Sequence, residues 1–513
     1  MSRIFYCLAI AAFALGCGHS AHASFVVNTE SDEDTDGDGL CSLREALTAV
    51  NAQANYHDCV SVVPGESSVT FAIAPNAGEL HTIALGGELP SITRPITLDG
   101  TSQAGSQCAP LPRARVQITN PQQLSIDGLV LAAGSDASVV AGFALSGFSA
   151  SLSAGLFINS TNVGIGCLLA GTDAIGSAAL PNYYGVYIGP GGQGARIGMA
   201  DAGGAEPNLI SGNSSANIFV TSGGSGSVIS GNYIGVDNTG QKALPSGYGI
   251  YVQGATDIRI GVATPDAPVA RQRNLVAVAS NNVNSSTDIY LDTVMDAVVA
   301  GNYIGVGADG QTSIPITSGN AITIFQSSHS VVGCDGRSVW DDCRNVIANP
   351  SGPAILNFEG SVDTAIVSNF IGVAADGVTA FGGTADVIGI DLIGADTLIA
   401  RNRISAGNGI GVALNPNASN ATPLFLNQTM AGSNGAMLDS SDNCMVGNGA
   451  GVYTNSLATP ALTSFTQNWW GAQDGPAPGG SGDFSSANVT ASPYLSAPSP
   501  YCGFDRVFAG GFE

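Results

Sequence analysis

Positive charge is what this 513-residue chain has least of: Lys and Arg together number 15 against 39 Asp and Glu, and the single lysine is Lys242. Such a balance leaves no electrostatic footprint for nucleic acid or anionic lipid, and an anionic ligand would need a bridging cation. Charge of either sign is scarce, 11% of residues, which excludes a charge-rich disordered protein. Long apolar runs are also missing beyond the N-terminus. Gly, Asn, Ser and Asp interrupt every aliphatic stretch, so no integral membrane span is expected. There is no C-x-x-C pair and histidine occurs only 5 times, which argues against structural zinc. What is plentiful is glycine, 69 residues, together with Ser, Asn, Ala, Val and Ile, a composition suited to tightly turned β structure.

The first residues read as a secretory signal peptide. Arg3 supplies the positive start, Ile4 to Leu15 an apolar run too short to span a bilayer, and Ala21-His22-Ala23 a small-x-small site with cleavage after Ala23. Cys17 after Leu15-Gly16 suggests a lipoprotein site, although Ala14 stands where a larger aliphatic is preferred. Loss of Arg3 takes the 15 basic residues to 14, a formal charge near -25 against the 39 acids. The expected location is secreted or at the bacterial cell surface. Eight cysteines follow the leader, and an even number in an exported chain suggests disulfides; the sequence neighbours Cys41 with Cys59 and Cys334 with Cys343 are the expected pairs.

Internal repetition is the main signal. With Leu168, Asn232, Asn302 and Asn369 aligned, Gly171, Gly235, Gly305 and Gly372 fall three positions on, and Gly176, Gly240, Gly310 and Gly377 eight positions on. Leu180, Leu244, Ile314 and Phe381 fall twelve positions on, and the anchors are 64, 70 and 67 residues apart. A second motif interleaves: Asn208-Leu209-Ile210, Asn274-Leu275-Val276 and Asn345-Val346-Ile347, each after an Ile197-Gly198, Ile260-Gly261 or Val332-Gly333 step. The pairs Asn213/Asn232, Asn281/Asn302 and Asn349/Asn369 are 19 to 21 residues apart, which suggests a unit of about 20 residues and three units per long repeat. Short aliphatic strands such as Val228-Ile229 and Val298-Val299-Ala300, followed by Gly and Asn, build stacked coils about 4.8 Å apart. Asn side chains at equivalent turns would form an amide ladder along the stack. No unit buries its apolar face alone, so stability comes from stacking, and strands this close leave no room for crossover helices. The expected fold is all-β: a right-handed parallel β-helix, or solenoid, and the expected state a monomer.

These repeats resemble those of right-handed parallel β-helix proteins. Cys41-Ser42-Leu43-Arg44-Glu45-Ala46 resembles the signature of the CSLREA domain, found near the start of bacterial surface and secreted proteins. Asn468-Trp469-Trp470-Gly471 through Gly475-Pro476 resembles a motif near the end of many β-helix proteins. The resemblance implies architecture and export and no settled activity. The chain divides into a signal peptide (1–23), an N-terminal CSLREA-like cap (24–60), a parallel β-helix (61–475) and an irregular C-terminal segment (476–513). The last six residues, from Phe508, resemble a sorting tail. In the cap, Ser42 and Glu45 form a capping box for a short helix with Leu43, Ala46, Leu47 and Val50 on one face. Trp469, Trp470, Tyr494 and Leu495 are placed to cover the other end, the tryptophans as core.

Candidate chemistry is sparse. Asp34, Asp36 and Asp38, with Glu45 at position twelve, satisfy a calcium-loop pattern, but no helix precedes them and Glu45 has its capping role. Calcium at Asp34, Asp36 and Asp38 is therefore the one cofactor expectation, set against a solvated acidic loop. Asp173, Asp237, Asp309 and Asp376 lie in repeat loops, where turn-capping is the expected role. A lyase would want a basic residue such as Lys242, Arg401 or Arg403 beside carboxylates; a glycosidase would want two spaced carboxylates, and Asp341-Asp342 is the adjacent Asp pair. His329 lies between serines without a marked partner, and Gly191-Gly192-Gln193-Gly194 lacks the Lys and helix of a phosphate loop. The sequence thus favours a secreted or cell-surface scaffold, adhesin-like and contacting extracellular polysaccharide or host glycans. The alternative is a polysaccharide lyase or glycoside hydrolase on the same fold.

Overall fold

The computed structural model describes residues 23–61, 67–198, 206–264, 267–280, 286–314, 319–334, 343–348, 352–381, 387–394, 397–414, 430–431, 437–438, 441–454, 463–487 and 489–502. Its strands form three long parallel sheets, two of twelve strands and one of eleven, each visited once per coil. This is a right-handed parallel β-helix. The first sheet begins with Ala23–Val27, which straddles the boundary between the segments assigned to the leader and the cap and pairs with Ser67–Phe71. Aliphatic side chains from all three sheets fill the interior: Ile165, Ile197, Ile229, Ile260 and Val299 stack along the first sheet, all fully buried. Each such burial stabilises by about 1.5–3 kcal/mol.

The turn into the first sheet repeats a left-handed residue one or two positions before the strand. Ala137, Asn162, Gly194, Gly226, Asp257, Asp296, His329 and Asp363 all have φ between 53° and 75° there. The turn from the first sheet to the second carries the expected amide ladder. Asn208 Nδ2 donates to Asn232 Oδ1 at 2.8 Å, and Asn232, Asn274, Asn302, Asn345, Asn369, Asn402, Asn443 and Asn468 continue the chain at 2.9–3.1 Å. The two interleaved Asn motifs of the sequence are therefore one column in space.

That column corrects the repeat unit. Successive ladder residues Asn232, Asn274 and Asn302 are 42 and 28 residues apart, so the 70-residue repeat is two coils of unequal length, not three units of about 20. Asn213 and Asn232, 19 residues apart, mark two different corners of one coil: Asn213 lies between Leu209–Ile210 and Ala216–Val220, and binds Ala170 O and Asn217 Oδ1. Asn281 and Asn349 lie outside the described residues.

The two-coil period has a physical cause. The repeat loops are small hairpins closed by the bridges Thr172↔Ala179, Val236↔Ala243, Val306↔Ser313 and Val373↔Ala380. They stack directly on one another, with Asn238 N donating to Gly176 O, Ala308 N to Gly240 O and Ala375 N to Gly310 O at 2.8–3.0 Å. Each hairpin is thus two coils tall and roofs the outward side chain of the loopless coil between. Gly176 lies so close to Leu209 that an added Cβ would come within 2.9 Å of it.

Both ends are closed. At the start, α1 (Leu43–Ala52) has the Ser42/Glu45 capping box, and Leu43, Ala46, Leu47 and Val50 are buried. At the end, Trp470 is fully buried with its ring edge-on to Phe465, and Trp469 packs with the Cys444–Cys502 pair. The tryptophans are core. Disulfides join Cys41 to Cys59 and Cys334 to Cys343, as expected, and also Cys108 to Cys167 and Cys444 to Cys502, which are 59 and 58 residues apart in sequence. Among the described residues no helix is long and apolar enough to cross a membrane.

Candidate functional site

The acidic loop of the cap is closed by its own hydrogen bonds. Asp58 Oδ2 accepts from Gly37 N at 2.8 Å and Gly39 N at 3.2 Å, and Asp38 Oδ1 accepts from Leu40 N at 2.8 Å. Asp34 does not gather with Asp36 and Asp38. Its Oδ1 lies 3.1 Å from His57 Nδ1, which is also 3.1 Å from Glu45 Oε1, and among the described residues Asp34, Glu45 and His57 form a group of metal-ligand type. Glu45 is already engaged, accepting from Thr35 N at 3.0 Å and Ser42 N at 2.9 Å.

The repeat-loop acids cap their own turns. Asp173 accepts from Ser177, Asp237 from Thr239, Asp309 from Gln311 and Thr312, and Asp376 from Val378 and Thr379. The basic candidates are likewise committed to structure. Arg401 stacks over the Tyr501 ring at 4.6 Å, and buried Arg403 donates to Cys502 O at 2.9 Å; both anchor the C-terminal end. Exposed Lys242 closes a repeat hairpin through its carbonyl, which accepts from Asp237 N at 2.9 Å. His329 faces Asp363 at 3.4 Å on the exposed corner. Asp341-Asp342, the leader and the sorting-like tail lie outside the described residues.

The outward face of the third sheet holds what the local sequence did not reveal. Phe157, Tyr187, Phe219, Tyr251 and Tyr290 are register partners on five successive strands, Ala154–Ile158 through Thr287–Asp292. Their ring centroids are 4.8, 5.3, 5.0 and 5.1 Å apart, with planes inclined by 21–39°. Two of these contacts are stacked and two tilted, so the rings overlap along the row like shingles. Four of the five are half-buried; Phe219 is nearly covered. Tyr184 and Tyr248 flank the row in a neighbouring lane and touch its rings. At one margin Asp292 Oδ2 accepts from Tyr251 Oη at 3.0 Å and from Gln253 Nε2 at 3.1 Å.

Burial raises the phenol pKa of Tyr184 and of Tyr290 to about 12, helped at Tyr184 by the adjacent phenols and at Tyr290 by the Asp292 charge. Burial also raises Tyr187, Tyr248 and Tyr251, the last reinforced by its hydrogen bond to Asp292. These phenols stay protonated at neutral pH. They are hydrogen-bonding groups and poor general bases. The row was detectable in principle: its members recur 30, 32, 32 and 39 residues apart, each preceded by an aliphatic residue. Only the true coil length would have aligned them.

No family model matches the chain, and no curated protein does. Solved structures do. The Azotobacter vinelandii mannuronan C-5 epimerase AlgE6 A-module is 13% identical over 74% of this chain and 93% of its own, with a TM-score of 0.32. PfbA, a surface adhesin of Streptococcus pneumoniae, is 10% identical over 72% of this chain and 81% of its own, with a TM-score of 0.31.

Proposed function

We propose that the chain is an exported β-helix, secreted or held at the cell surface after cleavage behind Ala23, and that it works as a glycan-contacting scaffold. One observation carries this reading: a continuous outward row of aromatic rings bordered by hydrogen-bonding side chains, on a rigid sheet. Sugar rings present apolar C–H faces and a rim of hydroxyls, and such a surface meets both. The disulfides support an oxidising destination. The second reading, a polysaccharide lyase or glycoside hydrolase, would need a base and acid converging in a groove. Arg401 and Arg403 instead serve the C-terminal end.

The test is a panel of polysaccharides incubated with the protein with and without calcium. Unsaturated products, new reducing ends and retention of the polymer are all measured. The expected result is retention of at least one polymer without turnover. Robust turnover would establish the enzyme reading, and neither retention nor turnover would remove glycan contact altogether.

A further inference from the structure

The geometry of the aromatic row narrows the ligand. It offers one ring per coil over four coil steps, roughly 19 Å at the ordinary strand spacing, yet it is only one to two rings wide. A compact ligand would cover one or two rings. A linear polymer following the solenoid axis would cover them all, with a repeat near the length of one pyranose unit in an extended chain.

Charge narrows it again. Among the described residues, arginines sit over the rings of Tyr303 (Arg273), Phe370 (Arg344) and Tyr501 (Arg401), and none of these rings belongs to the row. The acids beside the row are Asp292, bonded to Tyr251, and Asp127, whose Oδ1 accepts from Ala154 N at 2.7 Å. The whole chain carries a formal charge of -24. An anionic polymer would meet repulsion here, and among the described residues no guanidinium stacks on the row to offset its carboxylates or sulfates. A hydroxyl-rich neutral polymer finds the opposite. Asp292 offers acceptor lone pairs next to the amide of exposed Gln253, which lies 2.9 Å from Tyr251 Oη, and this pairing suits vicinal hydroxyls.

We propose that the row from Phe157 to Tyr290 binds an uncharged polysaccharide lying parallel to the solenoid axis. Pyranose faces rest on Tyr187, Tyr251 and Tyr290, and hydroxyls bond to Asp292 and Gln253. This rests on the glycan-contacting reading and adds the site, the direction and the charge class.

Affinity electrophoresis of the full chain in gels containing soluble mixed-linkage β-glucan, arabinoxylan, galactomannan or dextran, against alginate and polygalacturonate, tests it. At least one uncharged polymer is expected to retard the protein and the anionic ones are not. The variants are Tyr251→Thr and Tyr290→Thr, because the next coil already carries Thr323 at the same register position as Tyr290. Each is expected to weaken retardation about tenfold while leaving the circular dichroism spectrum unchanged. Asp292→Asn keeps the rings in place and is expected to lower affinity without abolishing it. Retardation by anionic polymers alone would overturn the charge class and leave glycan contact standing. Retardation by an uncharged polymer that survives the folded double variant Tyr251→Thr/Tyr290→Thr would overturn the row as the site. No retardation by any polymer would overturn both this inference and the reading beneath it. Should the double variant unfold, Gln253→Ala, at an exposed side chain, combined with Asp292→Asn carries the same decision.

Discussion

Asn302 sits in the middle of the amide column, and its removal gives the sharpest test of what holds the coils together. Its Oδ1 accepts from Asn274 N at 3.2 Å and Asn274 Nδ2 at 3.0 Å, while its Nδ2 donates to Ile260 O at 2.9 Å and Asn345 Oδ1 at 3.1 Å. In Asn302→Ala, Asn274 Nδ2 keeps its bond to Ile229 O, and Asn345 Oδ1 keeps Asn302 N. Asn274 N loses its partner, while Ile260 O and Ala300 O each lose one bond and stay in the sheet ladder. One buried donor left unpaired at about 1–3 kcal/mol, the two weakened carbonyls and the small void give a loss of about 2–4 kcal/mol. Asn302→Asp keeps the acceptor but aims a charged oxygen at Ile260 O and Asn345 Oδ1, so it should be worse than Ala at pH 7 and recover part of the loss in acid. The half-buried Asn238, whose solvent-facing bond donates to Ile175 O, is the control, with an expected loss under about 1 kcal/mol for Asn238→Ala. Guanidinium unfolding followed by far-ultraviolet circular dichroism measures all three. A loss below about 1 kcal/mol in Asn302→Ala, or equal losses for Ala and Asp at pH 7, would refute the argument that the column is satisfied pairwise from coil to coil.

Other outcomes follow from the same structure. Burial pushes the Asp288 carboxyl well above its ordinary value, so the folded state holds its proton longer than the unfolded chain does. Its contribution to stability is therefore present in acid and declines as pH rises past the unfolded pKa; Asp288→Asn should raise the melting temperature at pH 8 more than at pH 4, and equal shifts would contradict this. The Cys108–Cys167 pair spans 59 residues and Cys334–Cys343 spans 9. In the chain-entropy picture replacing the first by serines costs about 4 kcal/mol and the second about 2.6 kcal/mol, an order that denaturant midpoints can reverse or uphold. Calcium at Asp34, Asp36 and Asp38 would raise the melting temperature, by about 2.7 kcal/mol of stability at a hundredfold excess over Kd, and replacing the three by Asn would cancel the rise; a transition indifferent to calcium and chelator removes the ion.

The ends and turns of this fold were legible because their determinants are local. Ser42 and Glu45 are three residues apart and meet across one helical turn, and the repeat-loop acids bond to residues within four positions of themselves. The coil length was hidden because the chain marks two corners with the same residue type: Asn213 and Asn232 look like one repeating turn but sit on different edges. The column itself was split in the sequence by context. Asn232, Asn302 and Asn369 precede Tyr or Phe, while Asn208, Asn274 and Asn345 precede Leu or Val, and stacking alone shows their equivalence. The aromatic row stayed unseen for a related reason. Its members are one coil apart, and coil length varies with each loop. The pairing of Cys108 with Cys167 is similarly a contact between coils, invisible to spacing.

The stacked hairpins also set the increments in which such a molecule can change its length. Cutting out residues 233–302 would join Asn232 to Tyr303 and leave Asn-Tyr-Ile-Gly-Val unbroken, because the same five residue types begin at Asn232 and Asn302. Gly176 O, which now accepts from Asn238 N, would then accept from Ala308 N, as Gly240 O does now. Removing a single coil would bring a loop against a loop with no strand between them to roof, or leave two loopless coils bare. Growth and shrinkage by duplication are therefore quantised in pairs of coils, and relatives of different reach should differ by an even number of them.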